Sequence, residues 1–450
     1  MKGVLDIALL SASETDASPT MSDFISSPLA IGLYMALILT LVAILVGYVL
    51  VALHLVRKNA EKIEAEERAR ALVAEAEKSK PSNDVTEDGV RFPALCAIDR
   101  EEERKKESEA NAVFDTCSLS VLCDSFRSFS AGKLGLYYDI ADVRRFIAGM
   151  GISRLMIIRG MSGTGKTSLA YAAGEFFANP SVVVPIQPMW KERSDMIGYF
   201  NEFTKKFSET RMLEALYEAG GRREVYITVL DEVNISRIEY YFAEFLSLLE
   251  LPDPKRRYLD VVSDTWEKDP KRLSGGALLL PENMWFIGTA NNDDSTFAIS
   301  DKVYDRAMVI DLERKCTPFT CTPPPACRME SSELERLFSE ACAKYSLSTD
   351  AREKLAALDS YMSEVFRVSF GNRIMHQIER YVPIMIGCGG TQLGALDDII
   401  SRKILRKLES QSPAFVKSEV GGLLSKLEEC FGAGVMVQCE EYLQRLERGY

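Results

Sequence analysis

At 450 residues, 47% of them hydrophobic and 27% charged, the chain has the balance of a folded protein with about two to three domains. A net charge of -12 argues against a broad nucleic-acid-binding surface, because neutralising phosphates requires clustered Lys and Arg. Ten cysteines scattered from Cys96 to Cys439 form no tight framework, which suits reduced thiols in a cytosolic domain rather than a disulfide scaffold.

The first predicted element is a transmembrane helix over residues 28–56, a run without Asp, Glu, Lys or Arg. It exceeds the ~20 residues needed to cross ~30 Å of hydrocarbon. A cleaved signal peptide would have a basic start, a shorter apolar stretch and a small-residue cleavage site. Only Lys2 is basic before the run, whereas Arg57, Lys58, Lys62, Arg68 and Arg70 follow it. That asymmetry predicts tail 1–27 outside and everything after the helix in the cytoplasm, at the inner membrane.

Residues 59–80 are rich in Ala, Glu and Lys and predict a solvated helical stalk. Residues 81–111 are polar and read as a flexible linker, so stalk and linker together occupy 57–113. An α/β domain is expected over 114–314, a Pro-rich linker over 315–329, and helices alone over 330–450, where apolar residues recur at helical spacing. Cys316, Cys321 and Cys327 lie in that Pro-rich stretch. Their spacing and the chain's two histidines do not match a zinc site, so a linker is the better reading.

The strongest motif is Gly160-Met161-Ser162-Gly163-Thr164-Gly165-Lys166-Thr167, a full Walker A pattern. It follows an apolar run at 155–158 and leads through Ser168 into a helical one. Glycines let backbone N–H groups turn toward phosphate oxygens, and the following helix N-terminus favours an anion. Lys166 is expected on the β- and γ-phosphates and the Thr167 hydroxyl on Mg2+. Further on, the largely apolar run at 225–230 ends in Asp231-Glu232. Asp231 is expected to hold the metal shell and Glu232 to polarise the attacking water. A third run, at 284–288, leads to Asn291, an amide placed to sense the γ-phosphate.

These motifs in this order resemble the AAA+ superfamily, and within it the McrB-like branch, over roughly residues 120–385. The resemblance implies a parallel sheet flanked by helices with a helical lid, ATP with Mg2+, and a homo-oligomeric ring, usually hexameric, in which one subunit's arginine completes its neighbour's site. Arg306 sits where that finger belongs, and Arg373 resembles the second sensor near the γ-phosphate. Arg237 is a weaker candidate at the subunit interface. Trp190 falls where such motors carry substrate-gripping loops, with a core aromatic equally consistent. A Gly-rich bend before Leu280-Pro281 suggests a hairpin insertion.

The chain departs from the branch at two places. Where McrB proper has Met-Asn-x-x-Asp-Arg, this sequence has Ala290-Asn291-Asn292-Asp293-Asp294-Ser295, and it adds the membrane helix. The expectation is therefore a membrane-anchored ATPase, with GTP as the alternative nucleotide, that remodels an unidentified protein client. The alternatives are a nucleic-acid motor of a defence system and a nucleotide-sensing scaffold.

Overall fold

The structure is a computed structural model that describes residues 89–109, 113–291, 296–312 and 315–448. The tail, the predicted membrane helix at 28–56 and the stalk lie outside these residues. Among the described residues no helix is long and apolar enough to cross a membrane.

Three helices come first: α1 (Pro93–Glu109), α2 (Leu119–Leu134) and α3 (Ile140–Met150). Strand β1 (Leu155–Gly160), helix α4 (Lys166–Phe176) and strand β2 (Val182–Pro185) follow. A short α5 (Arg193–Ile197) leads into the hairpin β3 (Gly198–Asn201) and β4 (Lys206–Glu209), then α6 (Arg211–Ala219) and β5 (Tyr226–Asp231). After α7 (Ile238–Tyr241) and α8 (Ala243–Leu249) come three small strands, β6 (Tyr258–Asp260), β7 (Leu273–Ser274) and β8 (Ala277–Leu279). Strand β9 (Met284–Asn291), helix α9 (Asp301–Tyr304) and β10 (Met308–Asp311) complete the α/β part. The rest is helical: α10 (Ser331–Lys344), α11 (Thr349–Val365), α12 (Gly371–Gly387), α13 (Gln392–Ile399), α14 (Pro413–Phe431) and α15 (Val437–Arg448).

The five long apolar runs form one parallel sheet in the order β10-β1-β9-β5-β2. The near-continuous hydrophobicity of the inner strands β1, β9 and β5 follows from burial on both faces, whereas the edge strand β2 alternates buried and exposed positions. Of the eight positions of β9 only Asn291 is not buried, and β5 is buried until Asp231. Register does the functional work: Gly160 stands beside Asn291, and Leu230 beside Gly288. Asp231 therefore emerges next to Thr289 at the same edge of the sheet as the phosphate loop. Several helices begin where a side chain satisfies one of their first N–H groups. Ser118 caps α2, Asp139 caps α3, Thr210 caps α6 and Ser348 caps α11.

Residues 93–109, expected as linker, form α1 instead. Polar composition hid a short anchor: Phe92 and Leu95 are fully buried, and the Phe92 ring stacks on Phe207 at 4.9 Å. Arg91 is buried between Asp264 and Asp269, at 2.8 and 2.7 Å. Glu209 accepts the backbone N–H groups of Ala94 and Leu95, both at 2.8 Å, at the start of the helix. The Pro-rich stretch before α10 has no helix or strand among its described residues, yet it is tied down. Phe319 packs edge-on to Tyr137, and Cys327 N–H donates to Phe176 O at 2.7 Å. No cluster of three metal-binding side chains occurs among the described residues. The predicted insertion is present as a three-stranded antiparallel sheet, β6-β8-β7.

Candidate active site

The phosphate loop leaves β1 at Gly160, where a Cβ would lie 2.3 Å from Leu312 O, so any other residue would push the neighbouring backbone away. Ser162 and Gly163 are exposed on the loop, and Thr164 closes it by donating from Oγ1 to Met161 O at 3.0 Å. Gly165 adopts a left-handed φ of 93° and starts α4 with no side-chain cap. The first N–H groups of this 11-residue helix therefore have no capping side chain, which fits an anion there. Lys166 is buried, and its Nζ donates to Gly160 O at 3.0 Å and Met161 O at 2.8 Å, folded back along the loop it is expected to serve. Ser168 is half-buried in the first turn.

One carboxylate oxygen joins the loop to the neighbouring strands. Asp231 Oδ1 accepts from Thr167 Oγ1 at 2.8 Å and from Thr289 Oγ1 at 2.7 Å. Thr289 Oγ1 also accepts the Glu232 N–H at 2.9 Å. Glu232 has a φ of 57°, rare for a residue with a side chain, and such strain collects at functional sites. Its Oε1 accepts from Asn291 Nδ2 at 3.3 Å. Asn234 fixes the end of β9 in turn: its Nδ2 donates to Asn291 O at 2.8 Å, and its Oδ1 accepts the Asn291 N–H at 3.2 Å. The structure thus brings Lys166, Thr167, Asp231, Glu232 and Asn291 to one edge. The Thr167 hydroxyl and Asp231 carboxylate are hard oxygen donors within hydrogen-bond distance of each other, a pair that fits Mg2+.

The two candidate arginines lie elsewhere. Arg306 precedes β10, at the opposite end of the sheet; β1 alone separates the two edges by roughly 17 Å at 3.3 Å per residue. Its backbone carbonyl accepts from Ser153 Oγ at 2.8 Å, and its Nη2 pairs with Glu250 Oε2 at 2.7 Å. Arg373 pairs with Glu250 Oε1 beside it. Helix α12 carries Arg373 there because Gln377 Nε2 donates to Asp305 O at 3.2 Å and Arg380 donates to Gly151 O. Expected near the γ-phosphate, Arg373 instead stands away from its own phosphate loop. Arg237 lies near the first edge, its guanidinium 5.3 Å from the Phe297 ring. Trp190 is half-buried, edge-on to Tyr241 at 5.7 Å, and is packing rather than a presented side chain. The most exposed aromatic among the described residues is Phe203, 99% exposed in the β3–β4 turn.

Thr289 and Asn234 join the site from positions next to the motif residues, Thr289 two before Asn291 and Asn234 two after Glu232. Sequence reading missed the wall beside the loop. A cavity of about 290 Å3 is lined by Tyr138, Asp139, Gly163, Gly165, Leu312 and Lys315. Tyr138 Oη donates to Gly165 O at 3.3 Å, and burial pushes its pKa up. Behind it, Asp311 pairs with Arg159 at 2.8 Å and Arg402 at 2.5 Å. Burial raises the Asp311 pKa, but these arginines outweigh it and hold the carboxyl at about 2.

Residues 155–307 match the family described as the AAA domain (dynein-related subfamily), and residues 329–450 match a domain of unknown function. No curated protein matches the chain. Among solved structures, it is similar to a "putative ATPase" from Cytophaga hutchinsonii at 12% identity and a TM-score of 0.44, covering 74% of this chain and 98% of that one. It is also similar to a full-length MCM homolog from Methanopyrus kandleri at 10% identity and a TM-score of 0.32, covering 66% of this chain and 57% of that one. Strands β1, β2, β5 and β9 of the parallel sheet and the phosphate loop lie within the stretch 155–307 that matches the AAA domain, and their arrangement fits that match.

Proposed function

We propose that this chain is a membrane-anchored ATPase that works as a homo-oligomeric ring, hexameric as in the family it resembles, and remodels a protein client at the cytoplasmic face of the membrane. The observation that carries the hydrolytic part is the hydrogen-bonded web from Thr167 through Asp231 and Thr289 to Glu232 and Asn291. Thr167 and Asp231 would hold Mg2+, which would supply charge neutralisation at the phosphates. Lys166 and the glycine loop bind and orient the triphosphate. Glu232 accepts the proton of the attacking water while Asn291 holds its carboxylate in place. ATP is the expected nucleotide, with GTP as the alternative.

Arg306 serves a neighbouring protomer, because it stands on the edge of the sheet away from its own loop. Its side chain is 26% exposed and that of Arg373 is 51% exposed, so both reach a surface. A fixed guanidinium there stabilises charge on the transferring phosphoryl group. Arg373, on the same edge, is read as a second contact across that interface.

The membrane anchor rests on the charge-free run at 28–56 and the basic residues after it. Turnover of the full-length chain in detergent tests the enzyme reading: activity abolished by Lys166→Ala and by Glu232→Gln supports it, and wild-type activity in both variants refutes it. Stimulation by DNA or RNA in the same assay would replace the protein client with a nucleic acid.

A further inference from the structure

The edge that carries Arg306 has an internal anion. A cavity of about 250 Å3 there is lined by Arg154, Arg257, Arg306, Arg373 and Glu250, with Glu250 as the one carboxylate among the described lining residues. Arg154 is engaged by Glu335 at 2.9 Å, and Arg257 donates to Leu251 O at 2.7 Å. Among the described residues Arg306 and Arg373 are bridged by Glu250, which gives one oxygen to each. Two guanidiniums converging on two oxygens of one anion is also how a pair of arginines meets a phosphate. The Arg306 Nε is buried without a hydrogen-bond partner among the described residues, so the carboxylate leaves this guanidinium incompletely satisfied.

We propose that Glu250 is an internal stand-in for the neighbour's phosphate: it holds Arg306 and Arg373 together in the separate protomer and yields them when an adjacent triphosphate enters the cavity. A dianionic phosphoryl group offers more charge and more acceptor oxygens than a carboxylate, so it displaces Glu250. Partial exposure, 30% for the Glu250 side chain, keeps the ion pairs weak enough to exchange. The latch makes productive assembly depend on loaded nucleotide. This inference rests on the reading that Arg306 acts on a neighbouring protomer's triphosphate.

The test is turnover per protomer against protein concentration, using the full-length chain in detergent with Mg-ATP. Glu250→Gln keeps the shape and removes the charge; Glu250→Ala removes the oxygens. Both are expected to lower the half-saturating protein concentration roughly three- to five-fold, the size that a partly exposed ion pair allows. Arg306→Ala is expected to abolish turnover in either background. An unchanged half-saturating concentration overturns the latch, as does a fall of Glu250→Gln to the level of Arg306→Ala, which would make the carboxylate a scaffold instead. Wild-type turnover in Arg306→Ala alone would instead bring down the underlying trans-arginine reading, and the latch with it.

Discussion

The Thr289 hydroxyl donates to Asp231 Oδ1 at 2.7 Å while accepting the Glu232 N–H at 2.9 Å, so one buried side chain of β9 fixes the Asp231 carboxylate and the Glu232 backbone at the end of β5. Thr289→Val keeps the shape and removes both interactions. The cost of leaving them unmade is about 1–2 kcal/mol, which predicts a roughly tenfold lower kcat with nucleotide Kd little changed. Steady-state kinetics and equilibrium binding on one preparation check this; an equal loss in Kd would mean that Thr289 serves binding and not the chemical step.

Glu232→Gln retains the shape of the side chain but cannot take a proton. Turnover is expected to fall about 10²- to 10⁴-fold, the range for a general base, while nucleotide remains bound. Lys166→Ala removes a charged donor from the phosphates and should instead weaken binding by about 10- to 100-fold. Fluorescent-nucleotide titration beside a phosphate-release assay separates the two effects.

Lys403 gives a pH signature next to the arginine edge. Its buried Nζ donates to Tyr304 O at 2.7 Å and to Ala307 O, on either side of Arg306. Burial lowers its pKa to about 7, against 10.5 for the free side chain. Between those values the unfolded chain binds the proton and the folded one does not, so stability rises with pH. The contribution is about 1.4 kcal/mol per pH unit at most. Thermal melting from pH 7 to pH 9 should therefore favour the wild type increasingly over Lys403→Met; parallel curves for the two would contradict the shift.

The anchoring of α1 is tested through Arg91. Replacing it with Met leaves the buried Asp269 without its cation, and breaking a buried pair from one side costs about 3–5 kcal/mol. Denaturant unfolding should register that loss, whereas a linker would register none.

Much of the site was legible because its parts are local patterns. Gly160 to Thr167, the carboxylates after an apolar run and the amide at the end of another were each read from neighbours in the chain. Parallel pairing then aligned the strand ends without further information. What escaped depends on distant partners. Glu250 meets Arg306 and Arg373 across 56 and 123 positions, and nothing in the α8 sequence marks it. Helix α1 reads as polar linker until Arg91 finds two aspartates more than 170 positions away. The β3–β4 hairpin, carrying Phe203 at its turn, consists of strands of four residues each, too short for alternation to stand out.

The most direct test of the shared site is subunit mixing. Lys166→Ala chains keep Arg306 but lack a working phosphate loop, and Arg306→Ala chains keep the loop but lack the arginine. Each should be inactive alone, and mixing them should restore a measurable fraction of wild-type turnover, because some interfaces then pair an intact loop with an intact arginine. A mixture as inactive as its parts, or an Arg306→Ala chain fully active by itself, would contradict the account.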